Sequence, residues 1–142
     1  MLKSSGMSKL HLKIVTPEKD IFDDEVSEVV ATTDSGEIGI LPEHISLMTQ
    51  VLPGEVRVTQ GNKEIIMAVG FGLLQVANNN VIITTDMAEK AEEIDEKSAE
   101  EARKRATAAL EQKLSDEELA TTTAALEKAI AQLKVKRRHR VR

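Results

Sequence analysis

Three histidines, His11, His44 and His139, are the side chains best suited to proton transfer or metal ligation near neutral pH. None has a second His at ligand spacing, and the chain has no cysteine. Disulfides and thiolate metal sites are therefore excluded, and an intracellular setting is mildly favoured. A lone histidine is ordinarily structural. His44 stands out only because it closes a Gly/Pro-rich loop, where it can hydrogen-bond the backbone of the turn. Adjacent carboxylates such as Asp23-Asp24 and Glu117-Glu118 read as strand-edge and helix N-terminal charges, not as an acid–base pair. No GxxxxGK[ST], HExxH or GxSxG motif occurs, nor a strand–GxGxxG–helix unit. The chemistry on offer is therefore recognition. A small hydrolase would lack its nucleophile and its metal set, and the chain is expected to be non-catalytic, with no metal site.

Charge is the stronger signal. The net charge is −5, yet residues 134–142 carry six Lys/Arg and no acid. A basic end on an acidic protein suits an acidic partner surface. Nucleic acid is one candidate, as the target of a free-standing β-sandwich adaptor with a basic helical tail. Phe22 and Phe71 are the only aromatic residues, however, so a platform for stacking bases cannot be built. No apolar run approaches the roughly 18 residues of a membrane span. Met1–Gly6 has neither the apolar region nor the cleavage pattern of a secretory signal, so residues 1–8 read as a disordered lead-in, with Met7-Ser8 as a second plausible start.

The elements that must carry these residues change period near Ala88. Leu10–Val15 alternates apolar and polar side chains, as a half-buried strand does. Ile21-Phe22 and Val26–Thr32 predict two more strands, and a short one lies inside Gly36–His44. Ile45–Val51 is a further candidate before the Leu52-Pro53-Gly54 turn. Glu55–Gln60 puts Val56 and Val58 on one face and turns at Gly61-Asn62 into Lys63–Val69. Phe71–Ala77 turns at Asn78-Asn79-Asn80 into Val81–Thr85. Many short strands punctuated by turns indicate a β-sandwich over residues 9–87.

Residues 88–97 read as a linker, and 98–142 as a helical hairpin with a basic tail. Ser98-Ala-Glu-Glu101 and Ser115-Asp-Glu-Glu118 are two capping boxes. Ala99, Ala102, Ala106, Leu110 and Leu114 form one narrow apolar stripe; Leu119, Thr122, Leu126, Ile130 and Leu133 form another. The fold class is thus β plus α in two domains, a sandwich followed by an antiparallel two-helix hairpin. Methyl groups bury little area, at roughly 25 cal/mol per Å². The hairpin is expected to be lightly held and able to swing away.

The segment Gly36-Glu-Ile-Gly-Ile-Leu-Pro-Glu-His44 resembles the G-E-[IL]-G-[IL]-x-P-x-H signature of the epsilon-subunit family of bacterial rotary F-type ATP synthases. Leu52-Pro53-Gly54, Val56-Arg57-Val58, Gly72–Val76, Asn80–Ile83, Ala88–Asp95 and Leu126–Val135 continue the resemblance in order, over about residues 9–135. It implies a sandwich of about ten strands and a two-helix tail. It also implies a rotor subunit at the foot of the central stalk, against the gamma subunit and the ring of c subunits. The location implied is peripheral, at the cytoplasmic face of the bacterial plasma membrane, with membrane contact only through the ring. Gly36, Gly39 and Pro42 would shape a loop facing the ring or gamma, with Glu37 a polar contact and His44 closing the loop.

By the same resemblance the tail regulates. Extended along gamma, it would reach the alpha and beta subunits and oppose ATP hydrolysis. Arg103, Lys104, Arg105, Lys128, Lys134, Lys136, Arg137 and Arg138 are the basic candidates for contacts with beta. Some family members bind ATP through an [IL]-D-x-x-R-A motif. Here the stretch is Ile94-Asp-Glu-Lys-Ser-Ala99, with Ser98 in place of the arginine. Ser cannot reproduce a guanidinium contact. Glu89, Asp95 and Arg105 match other nucleotide-contacting positions, so the resemblance implies weak regulatory ATP binding at most and no required cofactor.

Overall fold

A computed structural model describes residues 9–141; the expected lead-in, 1–8, lies outside the described residues. Ten strands form the first part of the chain. They are β1 (Leu10–Val15), β2 (Asp20–Val26), β3 (Glu28–Thr33), β4 (Gly36–Ile40), β5 (Leu47–Val51), β6 (Gly54–Gln60), β7 (Lys63–Val69), β8 (Gly72–Ala77), β9 (Asn80–Thr85) and β10 (Ala88–Lys90). A single 3₁₀ turn, Ala91–Glu93, leads to α1 (Glu96–Ala109) and α2 (Asp116–Val141).

The strand order is β10-β7-β6-β3-β5-β8-β9-β1-β2, with β4 paired to β3. The ladders are antiparallel except β9–β1, which is parallel. β3 and β5 meet at the pair Thr33–Val51, so the sheet folds into two layers joined at that corner. Alternation decides which side chains fill the space between the layers. Leu10, Leu12 and Ile14 of β1, Val56 and Val58 of β6, Leu74 and Val76 of β8, and Val81 and Ile83 of β9 are buried together. This core is aliphatic, with Phe22 its one aromatic member.

The turns follow the residues that tolerate positive φ. Gly61 (φ 63°) turns β6 into β7, and Asn78 and Asn79 (φ 51° and 63°) turn β8 into β9. Gly72 answers a different demand. A Cβ there would lie 2.2 Å from the carbonyl oxygen of Thr84, a backbone atom of the paired strand.

Several sequence-based boundaries move. Val26 closes β2 instead of opening β3, and the break falls at Ser27, whose hydroxyl and N–H both donate to the Thr59 carbonyl. Residues 88–97, expected as a linker, are built into the structure. Ala88–Lys90 adds β10 to the edge of β7, and Ala91 and Ile94 are buried beneath α2. Ser98 does not cap the first helix. Asp95 does, accepting from the N–H groups of Lys97 and Ser98 and from the Ser98 hydroxyl. A carboxylate at the helix N-terminus also complements the helix dipole, so Asp95 outcompetes the serine three residues on. The second capping box is present as read: the Glu118 N–H donates to Ser115 Oγ, and the Ser115 N–H donates to Glu118 Oε1.

α1 and α2 run antiparallel, and α2 also lies on the outer face of β6 and β7. The expected α2 stripe is therefore its buried face only in part, with Leu133 buried and Thr122 and Leu126 half-buried. Leu119 and Ile130 are exposed, whereas Ala129, Ala131, Leu133 and Val135 are buried. A helix packed on two sides buries two narrow faces, and small residues allow the close approach that this needs.

Gly72→Ala is expected to cost about 1–3 kcal/mol, because the obstructing atom is backbone. Gly70→Ala is expected to cost well under half of that, since the nearest atom to its new Cβ is the mobile end of Asp86. Denaturant unfolding of the two variants checks the difference.

Candidate functional site

The described surface divides into two faces. One layer, β10-β7-β6-β3-β4, carries α2 on its outside. On the other layer, the outward positions of β5, β8 and β9 include Met48, Leu73 and Ile82, all exposed. The loop after β4 adds Leu41 and Ile45, 56% and 80% exposed. Large apolar side chains this exposed, and this near one another along paired strands (Met48–Gln75–Ile82), mark a surface awaiting a partner.

Of the expected loop residues, Pro42 and His44 lie in the loop beside that surface, whereas Gly36, Glu37 and Gly39 lie on β4, in the other layer. Gly36 (φ 106°) ends the β3–β4 turn, where Thr33 Oγ1 donates to its carbonyl at 2.8 Å. Gly39 lies outward on β4, beside Glu28. Pro42 starts a turn in which Glu43 takes φ 71° and His44 N–H donates to the Leu41 carbonyl. His44 Nδ1 lies 2.7 Å from the Ile45 carbonyl oxygen, the backbone contact of a turn histidine. The strained Glu43 is held from outside. Its N–H donates to Asn79 Oδ1 at 2.7 Å, and Asn79 Nδ2 donates to Glu43 Oε1 at 3.0 Å. Asn79 thus ties the loop to the β8–β9 turn.

Glu37, expected as an outward polar contact, is half exposed but also engaged. Both of its oxygens accept from Arg57, at 3.0 Å each. Arg57 in turn donates to Glu55 Oε2 at 2.8 Å, and Arg138 of α2 donates to the same oxygen at 3.1 Å. Glu55 was not singled out from sequence, nor was Arg57 given a role. The signal was available: Val56 and Val58 point inward, so Glu55 and Arg57 share the outer face of β6 as an i, i+2 pair of opposite charge. A cleft of about 290 Å³ lies here between sandwich and α2, with Thr32, Glu37, Glu55, Lys134 and Arg138 on its walls.

Most of the tail's candidate cations have internal partners when α2 lies on the sheet. Lys128 pairs with Asp86 at 2.7 Å. Lys136 donates to the Ala91 carbonyl at 3.1 Å. Arg137 bridges Glu96 and Glu100 across the hairpin, and Arg103 pairs with Glu100 on α1. Lys104, Arg105 and Lys134 are exposed. Val135 supplies the apolar part of the attachment, packed with Ile66, Ala68, Ala91 and Ile94.

The three nucleotide-position residues are not gathered into one cleft. Glu89 accepts from Gln132 of α2 at 2.9 Å, and Asp95 is occupied as the cap of α1. Arg105 is exposed further along α1. Among the described residues no group of three or more His, Cys, Asp or Glu could hold a metal ion.

The paired carboxylates set an acid limit. The Arg57 fork holds Glu37 below its ordinary value of 4.5, by hydrogen bonding and then by charge. Arg103, and then Arg137, hold Glu100 below the same value. A carboxyl lowered on folding stabilises the fold above its unfolded value, and that contribution is lost as pH falls through the lower, folded one. Thermal midpoints taken from about pH 6 to about pH 3 should therefore drop below 4.5, and Glu100→Gln should make that drop shallower.

Comparison with known proteins accords with this architecture. The family pattern described as "ATP synthase, Delta/Epsilon chain, beta-sandwich domain" matches residues 9–91, and that of the "long alpha-helix domain" matches 92–137. The boundary at 91/92 falls just past β10. An ATP synthase epsilon chain of Laribacter hongkongensis is 40% identical, with 90% of this chain and 93% of that one covered. One of Dehalococcoides mccartyi is 43% identical, with 94% and 96% covered. In structure, the chain resembles a component of the Euglena gracilis mitochondrial ATP synthase with a TM-score of 0.73 at 23% identity, covering 94% of this chain and 82% of that one. A sandwich whose outward face is bare on one side and helix-covered on the other, in a sequence that matches these two patterns from residue 9 to residue 137, places the chain in the ATP synthase delta/epsilon chain family, among the epsilon chains.

Proposed function

We propose that this protein is a non-catalytic rotor subunit that joins the gamma subunit to the ring of c subunits, and that its C-terminal helices restrain ATP hydrolysis. The observation that carries this reading is the division of the surface. The bare layer, with Met48, Leu73 and Ile82, and the Leu41–Ile45 loop beside it offer a fixed apolar attachment. The covered layer holds a hairpin through one small apolar cluster and several charge pairs, which is an attachment that can be exchanged for another.

On this reading the sandwich stays on the shaft while the hairpin changes partners. When α2 leaves the sheet, Lys128, Arg137 and Arg138 exchange their internal carboxylates for acidic side chains of the beta subunit. The Lys128 and Arg137 exchanges cost little because charge pairs at a surface contribute little net stability; release of Arg138 costs more, since it leaves buried Glu55 with Arg57 alone. Location follows from the assembly: the chain is peripheral to the membrane through its partners. No described helix is long and apolar enough to cross a membrane.

Nucleotide plays at most a minor part in this proposal. Ser98 donates to Asp95 where the ATP-binding motif has an arginine, and Glu89 is engaged with Gln132. Calorimetry with ATP is expected to give no binding in the micromolar range; a micromolar constant would contradict this.

Truncation after Leu133 removes all six tail cations and is expected to raise ATP hydrolysis by the assembled complex while leaving assembly intact. Inhibition by the full chain should also weaken as ionic strength rises, because its contacts are ionic. Hydrolysis rates unchanged by truncation would end the regulatory half of the proposal. Failure of the Met48→Asp variant to weaken binding to gamma would end the other half.

A further inference from the structure

The chain has five methionines and no cysteine, so thioether sulfur is its most readily oxidised side-chain atom. Three of the methionines lie among the described residues, in different surroundings. Met67 of β7 is fully buried in the core between the layers, and Met87 is half-buried just after β9. Met48 of β5 is 64% exposed and lies outside the core cluster. Oxidation of a thioether follows access, so these three sulfurs differ in reactivity and Met48 comes first.

The sheet register fixes where that sulfur sits. Met48 pairs directly with Gln75 of β8, and Gln75 with Ile82 of β9. Residues directly opposed on neighbouring strands share a face, with Cβ atoms roughly 5 Å apart. Met48 is therefore part of the bare outer layer, among Leu73, Ile82 and the apolar loop of Leu41 and Ile45, with the Gln75 amide beside it. As a thioether it is a flexible, apolar contact. As a sulfoxide it is a polar, chiral acceptor in the same place.

We propose that Met48 is a redox-sensitive modification site, and that its oxidation by a peroxide closes the bare face of the free chain to its partner. In the reaction a sulfur lone pair attacks one oxygen of hydrogen peroxide. The O–O bond breaks, an S–O bond forms, and the sulfur is oxidised by two electrons. The proton of the transferred hydroxyl passes to the departing hydroxide, which leaves as water. In the free chain the new oxygen accepts from water or from the Gln75 amide, and the core is untouched. Against an apolar partner it must give up water, and a polar oxygen buried without a donor is costly. A docked partner covers the sulfur, so the reaction selects undocked chains; methionine sulfoxide reductases, one for each epimer, reverse it. That the partner is the gamma subunit rests on the function proposed above. The order in which the methionines react is a property of this chain alone.

The rival explanation is general oxidative damage, in which Met67 is reached and the sandwich unfolds. Hydrogen peroxide on the full-length chain separates the two, with mass mapping of each methionine, thermal unfolding and titration with gamma. Met48 is expected to gain oxygen at least about 10-fold faster than buried Met67. The thermal midpoint should stay in place while affinity for gamma falls about 10-fold, within the range for burying an unpaired polar group. Reductase treatment should restore the affinity. In Met48→Leu, peroxide should leave the affinity at that variant's own starting value, which separates Met48 from Met87 and from the two methionines that precede β1. Oxidation of Met67 as fast as Met48, full conversion of Met48 with affinity intact, or an equal loss in Met48→Leu would overturn the proposal. An untreated chain that does not bind gamma would instead refute the function proposed above, and with it the docking half of this inference.

Discussion

The structure depends on how a polar, alanine-rich helix is kept on a sheet that offers it little apolar surface. α2 buries Ala131 and Val135 on this side and reaches Ile66 and Ala68 across it. Side chains of that size exclude little area from water. Charge makes up the difference in position, if not in energy: Arg138 on buried Glu55, Lys128 on Asp86, Lys136 on a carbonyl of the 3₁₀ turn. Breaking the first of these leaves a buried carboxylate short of a partner, which is far more costly than breaking an exposed pair. The helix is therefore placed accurately without being held firmly.

That balance sorts the molecule into a rigid and an exchangeable part. The sandwich has an aliphatic core drawn from both layers, with ladder hydrogen bonds running through β5, β8, β9 and β1. The hairpin has one small cluster and a set of ions. A local unit with few apolar contacts opens more readily than the core it sits on. Bistable regulatory elements are drawn from such units. On the proposed function the two faces of the sandwich follow suit: one is bare for a permanent neighbour, and the other is covered by a segment that can leave.

Much of this arrangement was legible in the residues. β1 and β7 have the expected bounds because alternation and a Gly-Asn turn leave the register no choice. The second capping box is as read because Ser115 and Glu118 meet no competitor. Elsewhere local signals lost to neighbours. Ser98 lost the cap to Asp95, a charged acceptor one turn earlier. Ala88–Lys90 has no strand pattern of its own and is a strand only because β7 offers an unpaired edge. The α2 stripe assumed one buried face, whereas α1 and the sheet claim two. The family resemblance drew attention to Glu37 and Arg138, but their connection through Arg57 and Glu55 is tertiary, since the residues lie on three separate elements.

The central claim is that α2 opens independently of the sandwich. Native-state hydrogen exchange on the full-length chain tests it most directly, by comparing the amides of Ala129–Lys136 with those of β1, β8 and β9. The account predicts that the helix exchanges through an opening of clearly lower free energy than the strands, and that this opening is insensitive to core substitutions between the layers. Equal protection of helix and strands, rising and falling together under denaturant, would mean a single cooperative body and would contradict it.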